Sequence, residues 1–137
     1  MCIRDRQSDY LDDAESLDHL SKADLIVFPY QETGESASGA VRFGIASGVP
    51  VAVTPLSIFD DVSDAVHRLP GTSADCIAKG IASLMQGIRT ADGEVTAKAV
   101  QCAIWRSDHR YSTLSSRFAN MLAALHSQNL SRQYLSN

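Results

Sequence analysis

The residues best suited to chemistry lie in one loop, QETGESASG, at positions 31–39. It holds two carboxylates, Glu32 and Glu35, three hydroxyls, Thr33, Ser36 and Ser38, and two glycines, Gly34 and Gly39. The backbone amides of Ser38, Gly39 and Ala40 are expected to open the following helix. Unsatisfied N–H groups there carry partial positive charge and suit a phosphate. A carboxylate beside a phosphate is repelled by it, so Glu35 suits the neutral hydroxyls of a sugar or ribose. A glycine-serine loop after a strand is also a common connection with no ligand, and Glu32 taken singly reads as a solvated carboxylate. The pattern is neither G-x-G-x-x-G nor a P-loop with its lysine, which disfavours dinucleotide and ATP readings.

The elements around the loop read as α/β. Upstream, Asp24 to Pro29 contains Leu25-Ile26-Val27-Phe28, a continuous apolar run expected of a strand buried on both faces. Downstream, Ala40 to Gly48 is expected to be a short helix. Val41 and Ile45 share its inner face, and Gly44 and Ala46 allow close approach to a sheet. Gly48 stands where a left-handed C-cap belongs, and Pro50 opens a second strand over 50–54. In open α/β sheets ligands bind outside the carboxyl ends of such strands, and the loop occupies that place.

Before this unit, residues 12–23 read as a helix with Asp12, Asp13 and Glu15 near its start. After it, Ile58-Phe59 read as an apolar plug, Asp60-Asp61 as a helix start, and 65–69 as a short third strand. Residues 74–86 form an amphipathic helix capped by Thr72 or Ser73, with Ile77, Ile81, Leu84, Met85 and Ile88 in phase. GIRTADGE is expected to turn. Residues 95–107 and 111–127 are two helices, or one interrupted near Ser107-Asp108, the second carrying Leu114, Phe118, Met121, Leu122 and Leu125 on one stripe. The tail, 131–137, is expected to fray. The fold class expected is therefore a partial Rossmann-like parallel sheet of two or three strands, flanked by helices and followed by C-terminal helices.

Composition restricts the function classes. Among 137 residues, 45% are hydrophobic and 20% charged, which is ordinary for one globular domain. The net charge of −4 with scattered Lys and Arg gives no electrostatic case for nucleic acid or a polybasic membrane anchor. No stretch approaches the about 18 consecutive apolar residues of a transmembrane span, and the N-terminus has no apolar signal core. Cys2, Cys76 and Cys102 match no metal spacing and read as reduced thiols of a cytoplasmic protein, the latter two as small core residues on helices. Asp60-Asp61 is more often a helix start than a metal site. His67 and His109 have no nucleophile or carboxylate at readable spacing. Trp105-Arg106 and His109-Arg110-Tyr111 form an aromatic-basic cluster, expected to pack or pair against another domain rather than to bind nucleic acid. Met1 to Arg6 resembles translated adapter sequence and is expected to be non-native.

The stretch from Ala23 to Asp61 resembles the donor-binding part of the C-terminal domain in retaining, group 1 (family 4-like) glycosyltransferases of the GT-B fold. The resemblance is carried by Pro29-Tyr30, Glu35, Gly39, the run Ala46-Ser47-Gly48-Val49-Pro50-Val51, and Val53. It implies that residues 7–130 are part of such a domain and that the whole enzyme moves a sugar from a nucleotide-sugar to a polysaccharide or glycoconjugate acceptor. Glu35 then aligns with the family's catalytic glutamate, which contacts the transferred sugar. Ser36, Ala37, Ser38, Gly39 and Ala40 align with the segment that holds sugar and phosphate. Arg42 is the one charged residue of the helix, and either faces donor phosphate or Glu35, or is a solvated charge.

The family's second glutamate, which takes the ribose, is replaced by Phe43. Its basic diphosphate ligands lie in the first half of the domain, and its glycan or glycolipid acceptor binds through a separate N-terminal domain. The part carried here is accordingly expected to be inactive alone. No metal or cofactor is expected, the nucleotide-sugar being a substrate. Location is expected to be cytoplasmic, with peripheral attachment at the inner membrane open for the full-length protein. A non-catalytic sugar-nucleotide-binding or interaction module of the same fold is the main rival, favoured slightly by Phe43. A flavodoxin-like regulatory domain is weaker, because no strand-end lysine is in place.

Overall fold

A computed structural model describes residues 10–135 apart from 33 and 35–37, with side chains through 128. The first helix, α1 (Asp13–Ser21), is closed by a capping box: the Asp12 side chain accepts from Glu15 N, and Glu15 answers to the Asp12 backbone. Strand β1 (Ile26–Phe28), helix α2 (Gly39–Ser47) and strand β2 (Val51–Val53) form the β-α-β unit expected around the loop. The two strands run parallel, with Ile26 opposite Val51 and Phe28 opposite Val53. A 3-10 helix (Ser57–Ala65) then leads to β3 (His67–Arg68), which pairs parallel with the other side of β2. Three helices complete the chain: α3 (Ala74–Thr90), α4 (Gly93–Asp108) and α5 (Tyr111–Leu135). The sheet order is β1-β2-β3, so the protein is α/β with a small parallel sheet and a helical majority, compatible with a partial Rossmann-like fold.

The apolar run of β1 is not buried on both faces. Only Ile26 is buried, while Val27 and Phe28 are half-buried. β1 is at the edge of the three-stranded order, so the doubly buried position falls to β2, where Val51, Ala52 and Val53 are all buried. Around β2 the core gathers Val41 and Ile45 from α2, and Ile58, Phe59, Val62 and Ala65 from the 3-10 helix. Phe59 is the largest fully buried side chain, so the expected plug is there. The short helix expected at Asp60-Asp61 is present but begins earlier, at Ser57 with Leu56 as N-cap, which puts Asp60 in its first turn and Asp61 just beyond.

Gly44 is where α2 meets the sheet. A Cβ there would stand 3.0 Å from the Phe28 ring and 3.2 Å from Val51 Cγ2. Ala46, in contrast, is exposed and permits no such approach. Gly48 ends α2 at φ 84°, the left-handed cap that glycine adopts most cheaply.

The C-terminal helices depart from the sequence reading in extent. Ser73 caps α3 through Cys76 N as expected, but the helix passes residue 86 and runs to Thr90. Nothing in GIRT breaks it, and Ala91 closes it in the left-handed region with its N–H on Gly87 and Ile88 carbonyls. The turn therefore shrinks to Ala91-Asp92, and Asp92 caps α4 through Glu94 N. α4 packs on the 3-10 helix and on α2. α4 and α5 are separate helices, broken at His109-Arg110, and α5 continues to Leu135 through most of the tail expected to fray. Its sequence has neither Gly nor Pro to stop it. The stripe of Leu114, Phe118, Met121, Leu122 and Leu125 is 44–57% exposed, so it faces outward. Met1 to Arg6 lie outside the described residues.

Two substitutions weigh these supports. Phe59→Ala should destabilise the protein by about 3–5 kcal/mol in urea unfolding, as expected for emptying a closed aromatic site. Gly48→Ala should cost about 1 kcal/mol through its left-handed backbone. A fully tolerated Phe59→Ala would show that the 3-10 helix does not anchor the core.

Candidate functional site

The C-terminal ends of β1 and β2 are tied together before the loop begins. Thr54, fully buried one residue past β2, donates from Oγ1 to the Tyr30 carbonyl at 2.8 Å. Its own amide reaches the Phe28 carbonyl at 3.3 Å. The Tyr30 ring is tilted against Phe59 at 5.3 Å and meets the Phe28 ring edge-on at 6.1 Å. A polar residue ending an apolar strand would be costly to bury unsatisfied. Here it fixes the point from which the loop leaves.

Beyond Tyr30 the chain turns outward. Gln31 donates from Nε2 to the Thr72 carbonyl at 3.1 Å, bridging to the segment before α3. Glu32 and Gly34 are exposed. Of the site residues expected from sequence, Glu35, Ser36 and Ala37 lie outside the described residues. Ser38 is buried, 4% exposed, at the N-cap of α2. Gly39 and Ala40 begin the helix and are exposed. A Cβ on Gly39 would meet nothing within 4 Å, so the first turn is open on that side.

Arg42 is engaged within the protein. Its Nη1 donates to the Ser38 carbonyl at 2.7 Å, and its Nη2 pairs with Asp61. Asp61 is a partner that the sequence reading did not name, because the carboxylate comes from the 3-10 helix rather than from the loop. Arg68 is matched in the same way, by Asp60 at 2.6 Å. The two arginines at this end of the sheet are thus each balanced by a carboxylate of the 3-10 helix. Both pairs are largely exposed, so their value is specification of geometry more than stability. Phe43 stands 38% exposed on α2. Among the described residues no three His, Cys, Asp or Glu side chains gather as a metal site.

The other candidates are structural. Cys102 is buried on α4, and burial pushes its thiol pKa up, against a smaller opposing effect of Arg106. That keeps it protonated and unreactive. Cys76 is half-buried on α3. His109 stacks on Trp105 with ring centroids 3.8 Å apart, and its Nδ1 lies 2.8 Å from the Trp105 carbonyl. Trp105 and His109 of the aromatic-basic cluster therefore stack on each other at the end of α4, while Tyr111 is exposed. A cleft of about 750 Å³ opens between His67–Pro70, α3 and the start of α4. It is separate from the loop, and its lining includes His67, Lys79, Asp92 and Glu94.

Tyr30, Thr54 and Asp61 are the residues that sequence reasoning gave no role at the site. The signal for Thr54 was a polar residue closing the run VAV; for Asp61 there was none, since its partner is distant in sequence. No family model matches the chain, and no curated protein matches it. Among the described residues no helix is long and apolar enough to cross a membrane.

His67 gives a pH prediction. It is buried on β3 with Lys98 and Glu94 of α4 acting on it. Burial, and then Lys98, hold its pKa below the ordinary 6.5, with Glu94 opposing. The unfolded chain thus binds the proton more readily than the folded one, so stability rises with pH through this group. Its contribution is complete above about pH 6.5 and falls away on acidification until the lower folded pKa is passed. Urea midpoints between pH 7.5 and 5 should decline, and His67→Asn should flatten the slope. An equal slope in the variant would contradict this assignment.

Proposed function

We propose that this chain carries part of the donor site of a retaining GT-B glycosyltransferase, which transfers a sugar from a nucleotide-sugar to a polysaccharide or glycoconjugate acceptor. The observation that carries the reading is the β1-α2-β2 unit. Parallel strands release a glycine-serine loop at their C-terminal ends, and the loop feeds an exposed first helical turn. The left-handed Gly48 gives a structural reason for the glycine of the Ala46-Ser47-Gly48 run, one of the features on which the family resemblance rests.

In this reading Glu35 takes hydroxyls of the transferred sugar. The backbone from Ser36 to Ala40, including Ala37, Ser38 and Gly39, holds sugar and phosphate. As the bond between the anomeric carbon and the diphosphate breaks, negative charge builds on the leaving group, and preorganised amides stabilise it. Arg42 contributes by holding the Ser38 carbonyl and hence the start of α2. Further cations would come from the first half of the same domain, and the acceptor from a separate N-terminal domain. A cytoplasmic location, peripheral at the inner membrane, belongs to the same proposal.

One observation favours a second reading. Arg42 is neutralised by Asp61, and exposed Phe43 replaces a ribose-binding carboxylate, which suits a non-catalytic module that binds a sugar nucleotide without turning it over. Calorimetric titration of UDP, GDP and their sugars, with a sugar-transfer assay on the full-length gene product, separates the two. The enzyme reading predicts transfer, with Glu35→Ala lowering kcat/KM by about a hundredfold or more. Binding without transfer supports the module, and unchanged affinity and turnover in Glu35→Ala sinks the site assignment.

A further inference from the structure

Serine at a helix N-cap ordinarily turns its hydroxyl back to accept from the second or third amide of the helix. Asp12, Ser73 and Asp92 all cap their helices through the side chain. Ser38 has the required extended backbone, φ −112° and ψ 117°, yet makes no side-chain cap bond. Its Oγ instead donates to the Tyr30 hydroxyl at 3.3 Å. Tyr30 is held from three directions: Phe28 and Phe59 pack its ring, and Thr54 bonds its carbonyl. The Ser38 carbonyl is in turn fixed by Arg42 at 2.7 Å.

We propose that Tyr30 is a positioning residue: its hydroxyl keeps Ser38 Oγ off the first turn of α2, so that Ser38 does not satisfy the amides of Ala40 and Val41. The purpose of that open turn rests on the donor-binding reading above; the geometry itself does not. Burial makes the device effective. Ser38 is nearly solvent-free, and in the rotamer that lets its hydroxyl donate to the Tyr30 oxygen its lone pairs receive no bond from the α2 amides. The isosteric loss of one oxygen at Tyr30 should free the hydroxyl to turn and accept from those amides.

Amide hydrogen exchange followed by NMR on the 137-residue chain tests this, with α3 amides as the internal reference. Tyr30→Phe keeps the ring packing and frees Ser38 to cap. Exchange at Ala40 and Val41 should then slow about fivefold, the factor expected of one serine cap. The slowing should vanish in the Tyr30→Phe/Ser38→Ala double variant. Ser38→Ala alone should leave first-turn exchange unchanged relative to α3, because no cap is lost. A merely structural Tyr30 gives the opposite sign, and unchanged or faster exchange in Tyr30→Phe overturns the proposal, as does selective acceleration in Ser38→Ala. Titration with UDP separates this from the functional reading. If the exchange pattern holds but the protein, tested also as the full-length gene product, binds no nucleoside diphosphate, the positioning role stands and the donor site falls.

Discussion

The burial of β2 is the constraint on which the rest depends. A strand with a parallel neighbour on each side and helices packed around it must be apolar along its whole length, and Val51, Ala52 and Val53 meet that demand. The chain then has to leave this closed region at Thr54, whose hydroxyl and amide would otherwise be stranded. Bonding them to the end of β1 satisfies them and brings the two strand ends into one rigid platform. The loop, Tyr30 and α2 all take their positions from that platform. Stability and site geometry are consequently linked through one residue pair, Thr54 and Tyr30.

Electrostatics at the same end of the sheet follow from the 3-10 helix. Asp60 and Asp61 leave its exposed side while Ile58, Phe59 and Val62 enter the core. Each carboxylate meets one arginine, Arg68 on β3 and Arg42 on α2. The Arg42–Asp61 pair cross-links elements that are not adjacent in sequence, the Arg68–Asp60 pair ties the 3-10 helix to the strand that follows it, and the start of α2 is left with an oriented but neutralised cation. An anionic ligand there would be held chiefly by backbone amides, with any further positive charge coming from outside these elements.

Local patterns made much of this legible. Gly48-Val49-Pro50 announced a helix end and a strand start, the Val41/Ile45 spacing gave the buried face of α2, and Ile58-Phe59 gave the plug. What was not legible depends on relations across the chain. β1 looked buried on both faces because its composition records apolarity and not its place in the sheet order. α3 ran on through Gly87-Ile88-Arg89-Thr90 because helical residues continue until a cap is available, and that cap was an alanine in the left-handed region. The partner of Arg42 and the use of Ser38 by Tyr30 are tertiary contacts for which single-sequence spacing carries no signal. The loop could be assigned a chemistry from its residue types, whereas the company kept by its flanks came from the fold.

The central claim is that the loop and the first turn of α2 form the ligand site. The most direct measurement is a ¹⁵N-¹H NMR titration of the chain with millimolar UDP- and GDP-sugars. The account predicts saturable shifts at Glu32 and Gly34 and from Ser38 through Arg42, with His67 to Pro70 and α3 undisturbed. Shifts confined to the cleft between β3, α3 and α4, with the loop and α2 silent, would contradict it.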